Sequence, residues 1–216
     1  MCRLSPESCA SALARRNSSL APRPDTGKSS SPVAIAVPVA YSDLAMISCD
    51  VQQCVGCRMC EVTCSASHFG AVSPALSRIR VAKLEEIGID LAITCMGCVE
   101  KPCLECSVDA LTVGASGEIC LDRAACIACE ECVGRCPVGA IGVHEGLPLF
   151  CDLCAGTPRC VEVCPSGALV NERGLEPSLE MFLESEGTPA QKRAHYAEVR
   201  SGPVRERWLE GWRLGP

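Results

Sequence analysis

CIACEECVGRCP, Cys126–Pro137, decides how this chain is read. Its cysteines, Cys126, Cys129, Cys132 and Cys136, follow the spacing C-x2-C-x2-C-x3-C and are closed by Pro137. Working outward, Cys54, Cys57, Cys60 and Cys64 repeat that spacing. Two looser groups complete the set: Cys95, Cys98, Cys103 and Cys106, then Cys151, Cys154, Cys160 and Cys164 ahead of Pro165. Sixteen of the 20 cysteines therefore stand in four groups of four. The tight spacing is the one by which thiolates hold cubane iron–sulfur clusters. Four thiolates per cube give room for four [4Fe–4S] clusters, and the chain reads as a wire for electrons.

The spacing has a physical origin. Each iron of a cube takes one thiolate, and three cysteines within seven residues wrap one face of it. The next cysteine lies a helical turn further on and points away, toward a second cluster. The proline behind it ends the turn and fixes φ. Small residues between the cysteines, Gly56, Gly97 and Ala128, let backbone N–H groups approach the sulfurs and help set potentials.

Composition narrows the alternatives. Zinc also binds paired C-x2-C motifs, but zinc ribbons separate two pairs by a long gap. Disulfide frameworks belong to small secreted domains and lack such regular groups. Aromatic residues make up 3% of the 216, so cubes packed against aliphatic side chains would have to fill the core. The net charge of −6 argues against nucleic acid. No apolar run reaches the length of a membrane span, and thiolates with oxygen-sensitive clusters point to a reducing cytoplasm.

Along the chain, residues 1–45 are rich in Ser, Pro, Ala and Arg and read as a disordered tail, with Met46 an alternative start. Arg15-Arg16 lacks the apolar run of an export signal, and Cys2 and Cys9 receive no ligand role. A short strand at 47–53 leads into the first group, with Cys49 read as a packed apolar residue. A helical turn follows at 59–68, and His68 at its end reads as packed or solvent-facing, with tuning of a cluster as the alternative. Hairpins are expected from 76–84 with 87–93, 110–113 with 118–121, and 140–143 with 147–150. Cys120 reads as strand packing. This recurring strand–cysteine–turn unit predicts an α+β fold of tandem two-cluster ferredoxin domains over 46–170. Helices are expected at 179–183 and 190–199 in a C-terminal segment, 171–216. Trp208 and Trp212 lie one turn apart there, on a tail folded back on the core or on an arm that docks a partner.

From Cys54 to about Leu169 the chain resembles four-cluster ferredoxin-like electron-transfer subunits of molybdenum and tungsten oxidoreductases, some hydrogenases and carbon monoxide dehydrogenases. CVGCRMCEVTCSASHFGAVSPALSRIRV and CDLCAGTPRCVEVCPSGAL look closest to the branch that accompanies tungsten-type aldehyde oxidoreductases and benzoyl-CoA reductase complexes. The resemblance implies that the first group pairs with the fourth and the second with the third. One cluster would take Cys54, Cys57, Cys60 and Cys164, and its neighbour Cys151, Cys154, Cys160 and Cys64. A third would take Cys95, Cys98, Cys103 and Cys136, and the last Cys126, Cys129, Cys132 and Cys106. The chain departs from the family at Cys103-Leu104-Glu105-Cys106-Ser107, where one residue and a proline are missing. Cys106 is the expected ligand there, with Cys120 as the nearby substitute.

The resemblance implies a catalytic tungsten or molybdenum subunit as one partner and a soluble or flavin-containing redox protein as the other. A hydrogenase, formate dehydrogenase or carbon monoxide dehydrogenase subunit is the runner-up, and a zinc-bound scaffold the reading from another class. The C-x3-C-x2-C radical motif, the G-x-G-x-x-G loop and the Walker loop are all absent, and no acid–base constellation stands out, so substrate chemistry is not expected of this chain.

Overall fold

A computed structural model describes residues 44–173 and 179–214, with side chains through residue 211. The Arg15-Arg16 pair, Cys2 and Cys9 lie outside the described residues. Just before Met46, Leu44 and Ala45 are buried, and the Ala45 N–H donates to the Ser116 carbonyl at 3.0 Å. A start at Met46 would remove the first residue of a strand.

Strands are short and pair antiparallel in four separate ribbons. The first ribbon joins β1 (Ala45–Cys49) to β8 (Leu169–Arg173), with Ile47 opposite Asn171. It ties the beginning of the cysteine-rich region to its end. The other three are local hairpins: β2 (Arg80–Leu84) with β3 (Ile89–Ile93), β4 (Leu111–Val113) with β5 (Ile119–Leu121), and β6 (Gly142–His144) with β7 (Leu147–Leu149). Alternation sets their faces. In β3, Ile89, Leu91 and Ile93 are buried at 2% or less exposure, whereas Asp90 points outward to Lys83. The strand expected from residue 76 starts only at Arg80. Pro74 opens a 3-10 turn over Pro74–Leu76 instead, and Pro has no N–H to give a ladder.

Helices carry the cysteine groups. They are α1 (Met59–Phe69), α2 (Glu131–Arg135) and α3 (Arg159–Glu162), each short, with α1 packed on α3. The mixture of small ribbons and short helices is α+β. The core has two apolar clusters. One gathers Ile47, Cys60, Cys64, Ile79, Leu153, Cys160 and Leu169. The other gathers Leu91, Ile93, Leu111, Cys132, Cys136, Val138 and Phe182. Cysteines occupy places that aromatic residues fill elsewhere.

The C-terminal helix is longer than its sequence suggests. After α4 (Glu180–Leu183), α5 runs Pro189–Leu214 straight through Pro203. Proline costs one N–H bond there, and the Arg- and Glu-rich turns behind it favour the helix. Its first half is folded onto the core: Lys192 Nζ donates to the Gly134 carbonyl at 2.6 Å, and Arg193 to the Gly139 carbonyl at 2.6 Å. Gly139 is left-handed (φ 62°), and a Cβ there would stand 2.1 Å from the Pro189 carbonyl oxygen, so this approach requires glycine. The second half stands clear, with Trp208 46% and Leu209 48% exposed. The Trp212 side chain lies outside the described residues. Among the described residues no helix is long and apolar enough to cross a membrane.

Phe182 tests the docking of this segment. It is 1% exposed and packs against the Tyr196 ring at 5.1 Å. Phe182→Ala is expected to cost about 3–5 kcal/mol, read as a lower thermal midpoint with iron content unchanged. An unshifted midpoint would show that the helix contributes nothing to the core.

Candidate metal centres

The groups Cys54–Cys60 and Cys126–Cys132 share one backbone signature. In the first, Gly56 and Arg58 are left-handed at φ 59° and 62°; in the second, Ala128 and Glu130 repeat it at 56° and 60°. Left-handed residues alternating with right-handed ones turn successive N–H groups inward, making the anion-binding concavity found at many iron–sulfur sites. Three of these four residues are not glycine, and each such position costs on the order of 1–3 kcal/mol. Strain repeated at equivalent places in two groups marks a functional constraint. The other two groups also contain left-handed residues, though not in that alternation: Gly97 at φ 61° and Lys101 at 42° in the second, and the consecutive Leu153, Cys154 and Ala155 in the fourth.

The side chains converge accordingly. Cys54, Cys57, Cys60 and Cys164 wall one cavity. Cys64, Cys151, Cys154 and Cys160 wall a second. Cys106, Cys126, Cys129 and Cys132, the fourth quartet, wall another. Each of the three hollows is lined by four thiols and by little other polar surface. In the remaining quartet the Cys103 thiol faces Cys95, Cys136 and Cys98. Every quartet takes three cysteines from one group and one from another.

Charge within the quartets favours a cation. Burial, then the neighbouring Cys95 and Cys136 thiolates, push Cys98 up to about 12. Burial raises Cys60 to about 12 and Cys132 to about 11, with Cys54 and Cys57 adding to the first and Cys129, Cys106 and Cys126 to the second. Thiols that oppose one another's ionisation are a donor set that a metal centre binds with release of protons. Backbone donors stand ready: Arg78 N–H lies 3.3 Å from Cys64 Sγ, and Ala140 N–H 3.2 Å from Cys136 Sγ. The four-thiol donor sets and the backbone N–H groups beside them fit iron–sulfur clusters.

Cys106 is reached despite the missing residue. Glu105 adopts φ −68° and ψ 72°, and the Cys106 N–H donates to the Leu104 carbonyl at 2.7 Å. That is an inverse γ-turn, which reverses the chain in fewer residues than a β-turn. Cys120 sits in β5, 7% exposed, and does not line the cavity walled by Cys106, Cys126, Cys129 and Cys132.

Two residues exceed their sequence reading. Cys49 is more than packing. It accepts from the Ala92 N–H at 3.4 Å, and its thiol, hydrogen-bonded to Cys54, holds Cys54 down at about 6 against the effect of burial. His68 is packed, with its side chain 3% exposed, and lies beside Cys64 with Nδ1 at 2.8 Å from the Cys64 carbonyl and Nε2 at 3.1 Å from Asp152. Burial opposes its charge, but bonds to Asp152, Cys154 and Cys64 outweigh that and raise it to about 12. Asp152, opposed by burial, is held by His68 and Arg78 well below the carboxylate range. No sequence spacing links positions 68, 78 and 152, so only the fold reveals the set.

No family model matches the chain. It is 44% identical over 111 residues to the polyferredoxin-like subunit of an aliphatic sulfonate oxidoreductase from Pyrococcus furiosus, covering 50% of this chain and 64% of that one. To the putative electron transport protein YsaA of Escherichia coli it is 38% identical over 120 residues, 50% of this chain and 74% of the relative. To a formate dehydrogenase iron–sulfur subunit of Wolinella succinogenes it is 36% identical over 122 residues, 51% and 60% of the two. It thus spans less than two thirds of the first and third of these relatives. Together with the thiol quartets, these relatives place the chain in the class of electron-transfer iron–sulfur proteins. It belongs to the family of electron-transport proteins that YsaA represents.

Cys106→Ala is expected to abolish or alter one reduced-state magnetic resonance signal, whereas Cys120→Ala leaves all signals in place. The reverse pattern would assign the fourth thiolate of that quartet to Cys120.

Proposed function

We propose that the sixteen cysteines hold four [4Fe–4S] clusters in the quartets just described, and that the chain relays electrons between a catalytic subunit and a redox partner. The observation that carries this is the convergence of sequence-remote thiols, three from one group with one from another, in every quartet. Clusters held there supply reversible one-electron storage; the protein supplies position, hydrogen bonds and exclusion of water.

The quartets form a line. Cys60 and Cys64, four apart on α1, belong to the first and second. Cys151 of the second faces Cys95 of the third. Cys132 and Cys136, on α2 and at its end, link the fourth to the third. Only the terminal quartets contain exposed cysteines, Cys57 at one end and Cys129 at the other. An apolar side chain stands beside each, Val55 and Ile127, both 62% exposed. Electrons would enter at one end and leave at the other, where a partner surface covers the rim. The exposed turn of α5 with Trp208 and Leu209 suits a docking arm for a partner.

The catalytic partner fits a tungsten or molybdenum oxidoreductase. The resemblance of the first and fourth groups to the tungsten branch supports this metal, and a relative that is a subunit of a sulfonate oxidoreductase supports an oxidoreductase partner without indicating its metal. A soluble or flavin-containing protein would take the other end, in a reducing cytoplasm. The domain reading of two paired halves, first with fourth and second with third, accords with the two apolar clusters.

Protein prepared without oxygen should be brown and hold about sixteen irons per chain with equal sulfide. Stoichiometric zinc with little iron would contradict the proposal. The isolated chain should oxidise neither aldehyde nor formate; turnover by the chain alone would contradict the relay role.

A further inference from the structure

The second cavity holds charges that ligation does not use. Asp152 is the hub. Its Oδ1 accepts the Cys154 N–H at 3.0 Å, its two oxygens lie 3.1 Å from His68 Nε2, and its Oδ2 is bonded by the Arg78 guanidinium. The side chains of Arg78 and Asp152 are only 17% and 8% exposed. Arg78 also reaches the thiols through its backbone, donating to Cys64 Sγ at 3.3 Å. Its carbonyl accepts from Thr94 Oγ1 at 3.1 Å, which fixes the residue at both ends. One guanidinium nitrogen, Nε, is buried without an acceptor among the described residues.

Stability alone does not explain such a pair. Withdrawing two charges from water costs about as much as their attraction returns, and apolar replacements are often neutral or better. A buried charge beside a redox centre has another effect. The centre gains a negative charge on reduction, so a fixed cation nearby favours reduction and a fixed anion opposes it, and in a poorly solvated site both act strongly.

We propose that Arg78 and Asp152 set the reduction potential of the centre held by Cys64, Cys151, Cys154 and Cys160, Arg78 raising it and Asp152 lowering it. His68 is a positioning residue, pinning Asp152 to the Cys64 carbonyl. The inference rests on the cluster assignment under Proposed function. It makes the second quartet the one whose potential is built from side chains as well as backbone donors.

Anaerobic potentiometric titration of the iron-loaded full chain, followed by magnetic resonance, tests this. Arg78→Gln keeps the N–H to Cys64 and removes the cation; Asp152→Asn keeps an acceptor for Cys154 N–H and removes the anion. Arg78→Gln should lower one potential and Asp152→Asn raise the same one, each by about tenfold in the reduction equilibrium, about 59 mV for one electron. The double variant should lie nearer the wild type than either single, and the other three potentials should not move. A structural role alone would not produce opposite shifts at one centre. Shifts of one sign, unchanged potentials, or loss of about a quarter of the iron from either single variant would overturn the proposal. A wild-type chain without iron would overturn the cluster assignment itself, whereas unchanged potentials in iron-loaded variants would overturn this inference alone.

Discussion

Everything in this chain depends on bringing thiols that are far apart in sequence into one small hollow. Cys164 must reach Cys54, 110 residues away, and Cys64 must reach Cys151. Closing so long a loop costs conformational entropy. The β1–β8 ribbon, the packing of α1 on α3 and the Asp152 network all serve that closure, and all lie within reach of the same two quartets. With few aromatics to bury, little else would hold the ends together. Metal binding is therefore folding energy here, and removing iron should loosen the first and fourth groups together.

The second constraint is electrostatic. Several of the crowded, buried thiols resist ionisation, as the raised values at Cys60, Cys98, Cys132 and Cys151 show. The backbone answers with N–H donors to sulfur, as at Arg78 and Ala140, and with left-handed residues between the cysteines, even at Arg58 and Glu130, where a side chain makes that conformation costly. The strain is local and the benefit is local. It appears between Cys54 and Cys60, Cys95 and Cys98, Cys126 and Cys132, and Cys151 and Cys154, but not between Cys103 and Cys106, where an inverse γ-turn takes its place.

Much of this was legible in the sequence, for definite reasons. The spacing of Cys126–Cys136 and Cys54–Cys64 is a direct trace of the turn that wraps a centre, and Gly56, Gly97 and Ala128 stand where the backbone is left-handed. Hairpin positions followed from period-2 alternation and Gly-containing turns. Ribbon β1–β8 was not legible, because its strands are 120 residues apart and β8 has a mixed pattern, Leu-Val-Asn-Glu-Arg. Arg78, Asp152 and Cys49 were also beyond reach as site residues, since they act through contacts between distant segments. The full length of α5 was not legible either, since a proline ends most helices, whereas Pro203 sits on a helix already anchored through Lys192, Arg193 and Tyr196.

The central claim is that the four centres form one connected line rather than four separate sites. Neighbouring quartets share helices α1 and α2, so their unpaired spins must interact when all are reduced. The direct measurement is magnetic resonance of the fully reduced, iron-loaded chain, with its power saturation and line shape. The account predicts broadened, mutually coupled, rapidly relaxing signals that resolve into simpler ones on partial oxidation. Four sharp, independent signals whose shapes do not change with the extent of reduction would contradict it.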